Sequence, residues 1–295
     1  MRRFMPDSNA TTETVAQALL RAASLLADAG IENPRYDANE LLMFVLSIRR
    51  EELILNPDRV LPHREQLAFD NALSSRGERK PLAYIIGERW FYGRPFTVND
   101  STLIPRPETE LLVDFVKEKA STGLALRAAD IGTGSGCIAV SLALEIPDSL
   151  VFAVDLSPRA LLVAEQNVQR HFVESRVTLV EGDLLSPLLG NRFDTIVSNP
   201  PYIRPDEIPF LMPEVGRFEP AMALWKGSGD NGAAIHERLI IGARSLIRAG
   251  GWLAMEVGAG QADLVCSIAE QYGYKSIHTR RDLGGIDRVV AAQMI

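Results

Sequence analysis

This 295-residue sequence has few cysteines, no long apolar run and no surplus of positive charge. Its two cysteines, Cys137 and Cys266, predict no disulfide framework, so a reducing cytoplasmic location is expected. No apolar run approaches the roughly 20 residues of a membrane-spanning helix, so no membrane partner is expected. The net charge of −7 argues against non-specific DNA binding, because basic surface supplies most of the affinity for duplex phosphates.

Signatures of several other protein classes are also missing. The four histidines are scattered, and no Cys, His or carboxylate spacing is typical of a metal site, so no metal ion is expected. Arg2 and Arg3 are followed by Pro6 and Asp7 rather than by an apolar segment, which predicts no signal peptide. The Gly-x-Ser-x-Gly elbow of acyl-transfer enzymes does not occur. The sequence is nevertheless 46% hydrophobic, which is ample for a buried core.

Hydrophobic periodicity changes along the chain and predicts three regions. Residues 1–89 carry apolar residues at helical spacing and form an all-α domain, in which Thr14 and Gln17 resemble a capping box. Residues 90–102 have aromatic residues around Gly93 and Pro95, which favours a β-hairpin linker. Residues 103–295 alternate strand and helix, a pattern typical of a parallel α/β sheet with helices on both faces. The fold class is therefore α/β with a small N-terminal helical domain.

The most informative stretch of this sequence is 193–202, which begins as a buried strand and breaks at Asn199. Pro200 and Pro201 cannot continue a strand ladder because they lack N–H donors and fix φ near −65°. The chain is therefore expected to bend rigidly at the carboxyl end of a strand, where ligands bind in open α/β sheets.

Asn199 and its neighbours suit chemistry on a planar NH2 group. The Asn199 side-chain oxygen and the Pro200 carbonyl can each accept one N–H of such a group. Two acceptors fix the orientation of the nitrogen and favour the more positive nitrogen of a transition state. Tyr202 is expected to supply an aromatic face for the substrate. Asn199, Pro200, Pro201 and Tyr202 are thus the predicted catalytic and substrate-binding residues, and they resemble the motif shared by adenine-N6 and glutamine-amide methyltransferases.

A nucleoside-binding crevice is predicted from three further strand ends. The first strand of the sheet runs into a glycine-rich turn, which allows close backbone approach to a ligand. The second strand ends in Asp155, whose carboxylate can accept both hydroxyls of a ribose. The third ends near Asp183 and Leu184, which are expected to contact an adenine amine and ring. The residues of the glycine-rich turn are Gly132, Thr133, Gly134, Ser135 and Gly136.

Two further segments are expected to lie around this crevice. The polar, Pro-rich stretch after Tyr202 predicts a loop over the site that runs to Pro220. Within it, Arg217 and Glu219 are expected to form a structural pair. Arg106, in the segment that precedes the sheet, either lines the cofactor cavity or belongs to a plain linker.

Taken together, these motifs resemble the PrmC/HemK family of release-factor glutamine methyltransferases. The resemblance covers nearly the whole chain, including the N-terminal helical region. The segments that carry it are Ile104–Glu110, Asp130–Gly136, Asn199–Tyr202, Arg217–Pro220 and Arg281–Gly285. One departure is Leu184, since an aromatic residue often stands at this position.

The resemblance implies a class I methyltransferase fold with an antiparallel last strand and S-adenosylmethionine as methyl donor, leaving S-adenosylhomocysteine. It implies as substrate the glutamine in the Gly-Gly-Gln loop of peptide chain release factors, with the helical domain contributing to substrate recognition. By position, Gly132 to Gly136 would hold the methionine part of the cofactor and Asp155 its ribose. Asp183 and Leu184 would flank the adenine, and Asn199 to Tyr202 would hold the glutamine amide.

Three alternatives stay open from the sequence. A glutamine methyltransferase acting on a ribosomal protein shares the central motifs and is the nearer competitor. A DNA adenine-N6 methyltransferase would use the same Asn-Pro-Pro-Tyr chemistry, but no basic groove or target-recognition segment is visible. A non-enzymatic module that binds cofactor and a partner is disfavoured by the intact Asn199.

Overall fold

The structure, a computed structural model, describes residues 13–120 and 125–295. The expectation that no signal peptide occupies residues 2–9 therefore lies outside the described residues. The described chain divides into two units. A helical unit comprises the residues up to Gly87 together with Pro213–Phe218, and a sheet-containing unit comprises Glu88–Met212 and Glu219–Ile295.

Helices form most of the described part of the first unit, and helices flank the sheet in the second. Short 3-10 turns occur at Pro107–Thr109, Ser186–Leu188 and Ile208–Phe210. Within the described ranges, no helix has the length and apolar character to cross a membrane. In chain order the helices are α1 Val15–Asp28, α2 Pro34–Leu46, α3 Arg50–Leu55, α4 His63–Gly77, α5 Leu82–Ile86, α6 Glu110–Lys119, α7 Cys137–Glu145, α8 Pro158–Arg170, α9 Pro213–Phe218, α10 Ala221–Leu224, α11 Ala234–Ala243 and α12 Ala262–Gln271.

The helical unit is held by an apolar core and one buried ionic cluster. The predicted capping box at α1 is present: the Thr14 N–H donates to Gln17 Oε1 at 2.9 Å, and the Gln17 N–H donates to Thr14 Oγ1 at 3.3 Å. Arg76 of α4 is buried and donates to Asp37 of α2 at 2.6 Å and to Glu214 of α9 at 3.1 Å. A buried charge is stable only when it is paired, so this cluster explains why α9 belongs to the helical unit.

The second unit is built on a seven-stranded sheet with the order β5-β4-β3-β6-β7-β9-β8. The strands β3 to β7 are parallel, and β9 runs antiparallel to both of its neighbours. The predicted mixed α/β sheet with an antiparallel last strand is confirmed. The sheet strands are β3 Arg127–Ile131, β4 Leu150–Asp155, β5 Val177–Glu181, β6 Phe193–Ser198, β7 Ile247–Glu256, β8 Lys275–Arg281 and β9 Asp287–Gln293.

The site position follows from the order of these strands. After β3 the chain adds β4 and β5 on one side, and it then returns to add β6 on the other side. The central strand β3 is therefore the switch point, where the connections diverge and a crevice opens beyond the carboxyl ends of the strands. Apolar clusters bury both faces of the sheet, so the strand ends are held rigidly.

The expected hairpin consists of β1 Glu88–Phe91 and β2 Arg94–Thr97, paired antiparallel. Phe91 and Phe96 are buried in the same cluster as α6 and α7. Asn167 of α8 bonds both backbone groups of Thr97, accepting from its N–H at 2.7 Å and donating to its carbonyl at 2.9 Å. The hairpin is therefore an integral part of the second unit rather than a free linker.

The segment after Tyr202, predicted as a loop, is more ordered than expected. It contains the 3-10 turn at Ile208–Phe210, and α9 and α10 follow. Leading prolines fix φ in a helical value and so favour helix starts; Pro213 begins α9 and Pro220 precedes α10. Two of the prolines that suggested a loop therefore mark the starts of two short helices.

Candidate active site

The glycine-rich turn after β3 holds its glycines in left-handed conformations. Gly132, Gly134 and Gly136 have φ values of 73°, 56° and 78°. A Cβ at Gly136 would lie 3.2 Å from the Ala164 Cβ of α8, whereas a Cβ at Gly132 or Gly134 would meet nothing within 4 Å. Gly136 is thus required for helix packing, and the two earlier glycines border open space.

Two carboxylates on the neighbouring strands hold this turn. Asp155, the last residue of β4, accepts from the Gly134 N–H at 2.8 Å and from the Ser157 N–H at 2.9 Å. The pKa of Asp155 is raised overall, because burial raises it more than these backbone donors lower it. Asp130 of β3 accepts from Thr133 Oγ1 at 2.6 Å and from the Ala139 N–H at 3.2 Å.

Asp130 is a buried acid to which the sequence assigned no individual role. It is fully buried, and burial raises its pKa to about 7. Its second oxygen, Oδ1, has no hydrogen-bond partner in the described part of the chain. Cys137 follows the turn, and burial raises the pKa of its thiol to about 12. Cys137 is therefore a small packing residue rather than an activated thiol.

Asp183 and Leu184 lie beyond the end of β5. Asp183 is half-exposed and pairs with Arg238 of α11 at 2.6 Å. Leu184 has φ of 50° and is partly buried. The Arg238 partner was not predicted, because nothing in the spacing of the sequence connects α11 with the end of β5.

Asn199 follows β6 and is held by a chain of buried side chains. Asn199 Nδ2 donates to Thr109 Oγ1 at 3.1 Å, and Thr109 Oγ1 donates to Glu256 Oε2 at 2.6 Å. The Tyr202 hydroxyl donates to the other oxygen, Glu256 Oε1, at 3.0 Å. Thr109 and Glu256 are 3% and 2% exposed. Sequence reasoning assigned no role to either residue, although Thr109 lies in the segment Ile104–Glu110, which carries part of the family resemblance.

The bend after Asn199 is fixed on its backbone as well. The Tyr202 carbonyl accepts from Gln261 Nε2 at 2.9 Å, and Gln261 Oε1 accepts from the Gly258 N–H at 3.0 Å. Burial raises the pKa of Tyr202, whose phenol stays neutral. Pro200 is buried. Sequence reasoning assigned no role to Gln261.

A cleft of about 380 Å³ joins these strand ends. Its walls include the apolar side chains of Leu103, Ile138 and Ile235. Gly136, Pro200 and Tyr202 are predicted site residues that do not line the cleft. The predicted residues that do line it are Gly132, Thr133, Gly134, Ser135, Asp155, Asp183, Leu184, Asn199 and Pro201.

Arg106 also lines this cleft, and its partner corrects an expectation. Arg106 donates to Glu219 Oε1 at 2.5 Å, while Glu219 Oε2 accepts from the Ile104 N–H at 3.1 Å. Glu219 therefore pairs with Arg106, and the predicted pair with Arg217 is wrong. Adjacent positions in sequence suggested the pair, but the buried carboxylate is satisfied by residues more than 100 positions away.

In the part of the chain that the structure describes, no three or more His, Cys, Asp or Glu side chains are grouped to hold a metal ion.

Comparisons with known proteins agree with this arrangement. Residues 17–87 match the PrmC N-terminal domain, and residues 107–210 match the methyltransferase small domain. A methyltransferase from Pyrococcus furiosus has the same fold, with a TM-score of 0.52 and 18% identity over 70% of this chain and 91% of that one. The fold and its matched domain define a class I S-adenosylmethionine-dependent methyltransferase.

The particular family follows from sequence identity. The chain is 40% identical over 281 residues to the release factor glutamine methyltransferase of Geobacter sulfurreducens, covering 95% of this chain and 97% of the relative. It is 41% identical over 287 residues to the one of Nitratidesulfovibrio vulgaris, covering 96% of each. The chain therefore belongs to the release factor glutamine methyltransferase family.

Proposed function

We propose that this enzyme transfers the methyl group of S-adenosylmethionine to the side-chain amide nitrogen of the glutamine in the Gly-Gly-Gln loop of peptide chain release factors, in the cytoplasm. The observation that carries the proposal is the hydrogen bonding of the Asn199 side chain, which lies at the wall of the cleft. Its Nδ2 group donates to Thr109, so the side-chain oxygen is left to accept from a substrate. The naming of the full-length relatives supports the same substrate.

The cleft has the features that the methyl donor requires. Gly132 and Gly134 border open space where a Cβ would stand, which permits close approach of a ligand to the backbone. We assign the methionine part to Gly132–Gly136 and the ribose hydroxyls to Asp155, whose carboxylate is held in place by two N–H donors. We assign the adenine to the side of the cleft with Asp183 and Leu184, where Ile235 adds apolar surface.

The residues of the bend position the glutamine amide that receives the methyl group. When bound, S-adenosylmethionine supplies an electrophilic methyl group on a sulfonium. Asn199 Oδ1 and the Pro200 carbonyl each accept one N–H of the glutamine amide and aim its nitrogen along the cleft. These acceptors bind a nitrogen that is becoming positive more strongly than the flat amide, which lowers the barrier. The nitrogen then loses a proton to water.

The helical unit is assigned to recognition of the release factor. It contains several exposed apolar side chains, including Ile54 at 69% and Leu55 at 77% exposure on α3. Replacing both with Ser should raise KM for the intact factor about tenfold and leave kcat unchanged, if these side chains are among the few that dominate the interface. Leu189→Ser, at a 69% exposed position of the other unit, is the matched control. An unchanged KM in the double variant would remove α3 from the recognition surface.

Labelled S-adenosylmethionine tests the function directly. The enzyme is incubated separately with a release factor, with ribosomal subunits and with duplex DNA, and label is counted in each. Label should enter the release factor and disappear when its Gly-Gly-Gln glutamine is replaced with Ala. Label in a ribosomal protein or in adenine, with none in the factor, would overturn the proposal in favour of that substrate.

A further inference from the structure

The carboxamide of Asn199 can stand in two orientations of nearly the same shape. Its oxygen accepts hydrogen bonds and its nitrogen donates them, so the hydrogen-bond network decides which end faces a ligand. A glutamine amide presents two N–H donors on its reacting nitrogen. If Asn199 turned its own NH2 toward the cleft, donor would meet donor and the acceptor site would be lost.

The neighbours of Asn199 determine this orientation through the number of protons they hold. Thr109 has one hydroxyl proton, and it lies on the short contact of 2.6 Å to Glu256. That distance is typical of a hydroxyl donating to a carboxylate. Thr109 Oγ1 can therefore only accept from Asn199, which must point Nδ2 at it, as in the 3.1 Å contact.

Glu256 anchors the whole chain of donors. Its two carboxylate oxygens accept from Thr109 and Tyr202, and the residue is 2% exposed. A carboxylate is costly to bury unless hydrogen-bond donors satisfy it. The hydroxyl groups of Thr109 and Tyr202 each donate their one proton to Glu256. Burial raises the pKa of Glu256, and the hydrogen bonds from Thr109 and Tyr202 act in the opposite direction. The direction of every hydrogen bond from Asn199 inward is set by this shared acceptor.

We propose that Thr109 and Glu256 are positioning residues for methyl transfer: they fix the Asn199 carboxamide with its oxygen toward the substrate nitrogen. This inference rests on the proposed function, because that function gives the fixed Asn199 oxygen its role. Neither residue has to touch the reacting atoms; both act through Asn199. The elements concerned are the 3-10 turn at Pro107–Thr109, the end of β7 and the bend after β6.

Two pairs of variants isolate the hydroxyl at constant volume. Wild type is compared with Thr109→Val, and Thr109→Ser is compared with Thr109→Ala. In each pair the form without the hydroxyl should have kcat lower by about tenfold to a hundredfold, the range expected for a misaligned polar group. Thr109→Ser should regain most of the activity. Affinity for S-adenosylmethionine, measured by calorimetry, should stay within about threefold of wild type because the glycine-rich turn is untouched.

Binding gives a readout that does not depend on turnover. With S-adenosylhomocysteine present, Thr109→Val should weaken binding of the release factor but leave unchanged the binding of a factor whose glutamine is replaced with Ala. Thr195→Val is the control, since it removes a hydroxyl from a buried threonine of β6 (2% exposed). It should leave both affinities and kcat unchanged.

These experiments distinguish a wrong substrate from a wrong role of Thr109 and Glu256. A wild-type enzyme that does not methylate the release factor overturns the proposed function. A wild-type enzyme that does, together with a hydroxyl-free variant of normal kcat and normal factor binding in either pair, overturns the positioning role. An equal loss in Thr109→Ser and Thr109→Ala, with a parallel fall in melting temperature, would also overturn it, since volume rather than the hydroxyl would then be responsible.

Discussion

The two sides of the cleft are built in different ways. On the glycine side, the contacts are local: Asp130 bonds residues three and nine positions away, and Asp155 bonds Gly134 at a separation of 21. On the Asn199 side, the contacts span 54, 90 and 147 positions. Backbone N–H groups dominate the donors on the first side, and side-chain hydroxyl and amide groups are the donors on the second.

This difference shows which part of an active site a short motif can specify. A turn with left-handed glycines carries its own geometry, because the backbone supplies both the shape and the donors. The position of an acceptor such as Asn199 depends on partners that the fold brings together. We therefore expect the two sides to be separable by mutation: the glycine side should control affinity for the cofactor, and the Asn199 side should control turnover.

The largest effect is expected for Asn199→Ala. This change removes one of the two acceptors for the reacting amide, and turnover should fall by about a hundredfold to a thousandfold, as for the loss of one oriented group in a preorganised site. Calorimetry with S-adenosylmethionine should show nearly unchanged affinity, because no contact on the glycine side is altered.

Asn199→Ala also tests whether the two sides of the cleft are separable. Near-normal turnover would contradict the assigned role of Asn199. A large loss of cofactor affinity together with turnover would show that the two sides are not separable. The melting temperature is the control for folding, since Asn199 makes a single described side-chain hydrogen bond.

A smaller effect is expected for Asp155→Ala. The loss of a carboxylate that accepts from ribose hydroxyls should weaken S-adenosylmethionine binding by about tenfold to a hundredfold, as for one or two charge-assisted hydrogen bonds. Asp155 also holds the Gly134 and Ser157 N–H groups, so part of the loss would come from a looser turn. Asp155→Asn, which keeps an acceptor oxygen, should lose less. Unchanged affinity in Asp155→Ala would move the ribose elsewhere.

Sequence reasoning succeeded where the signal is local. The alternation of strand and helix, the left-handed glycines and the break at Asn199 all arise from neighbouring residues, and the parallel sheet was predicted from them. The positions of Gly132, Asp155 and Asn199 at the carboxyl ends of neighbouring strands of the sheet follow from that topology.

Sequence reasoning failed where a partner lies far along the chain. Glu256 at the end of β7 resembles any polar residue that ends a strand, and only the fold brings it to Thr109. Glu219 was assigned to nearby Arg217, but its actual partner is Arg106. The Arg76 cluster that joins α9 to the helical unit spans 138 positions between Arg76 and Glu214. No spacing rule connects such pairs, because they depend on how the elements pack.

The smallest effect is expected at Asp130, a buried side chain among the backbone contacts of the glycine side. Its folded-state pKa of about 7 lies above its ordinary value of 3.8. Between these values the folded protein holds a proton that the unfolded chain has released, so the stability contributed by this group is lost as the pH rises through the window.

Asp130→Asn abolishes this titration while keeping an oxygen that can accept from Thr133 and Ala139. Between pH 6 and pH 8, the free energy of unfolding of wild type should fall by roughly 1.4 kcal/mol more than that of Asp130→Asn, one proton's linkage over this window. Urea unfolding of both proteins at the two pH values measures the difference, and all other titrating groups cancel between them. Parallel pH profiles would mean that Asp130 is ionised throughout. The glycine side would then hold a buried negative charge at Asp130, and its backbone donors would stabilise that charge.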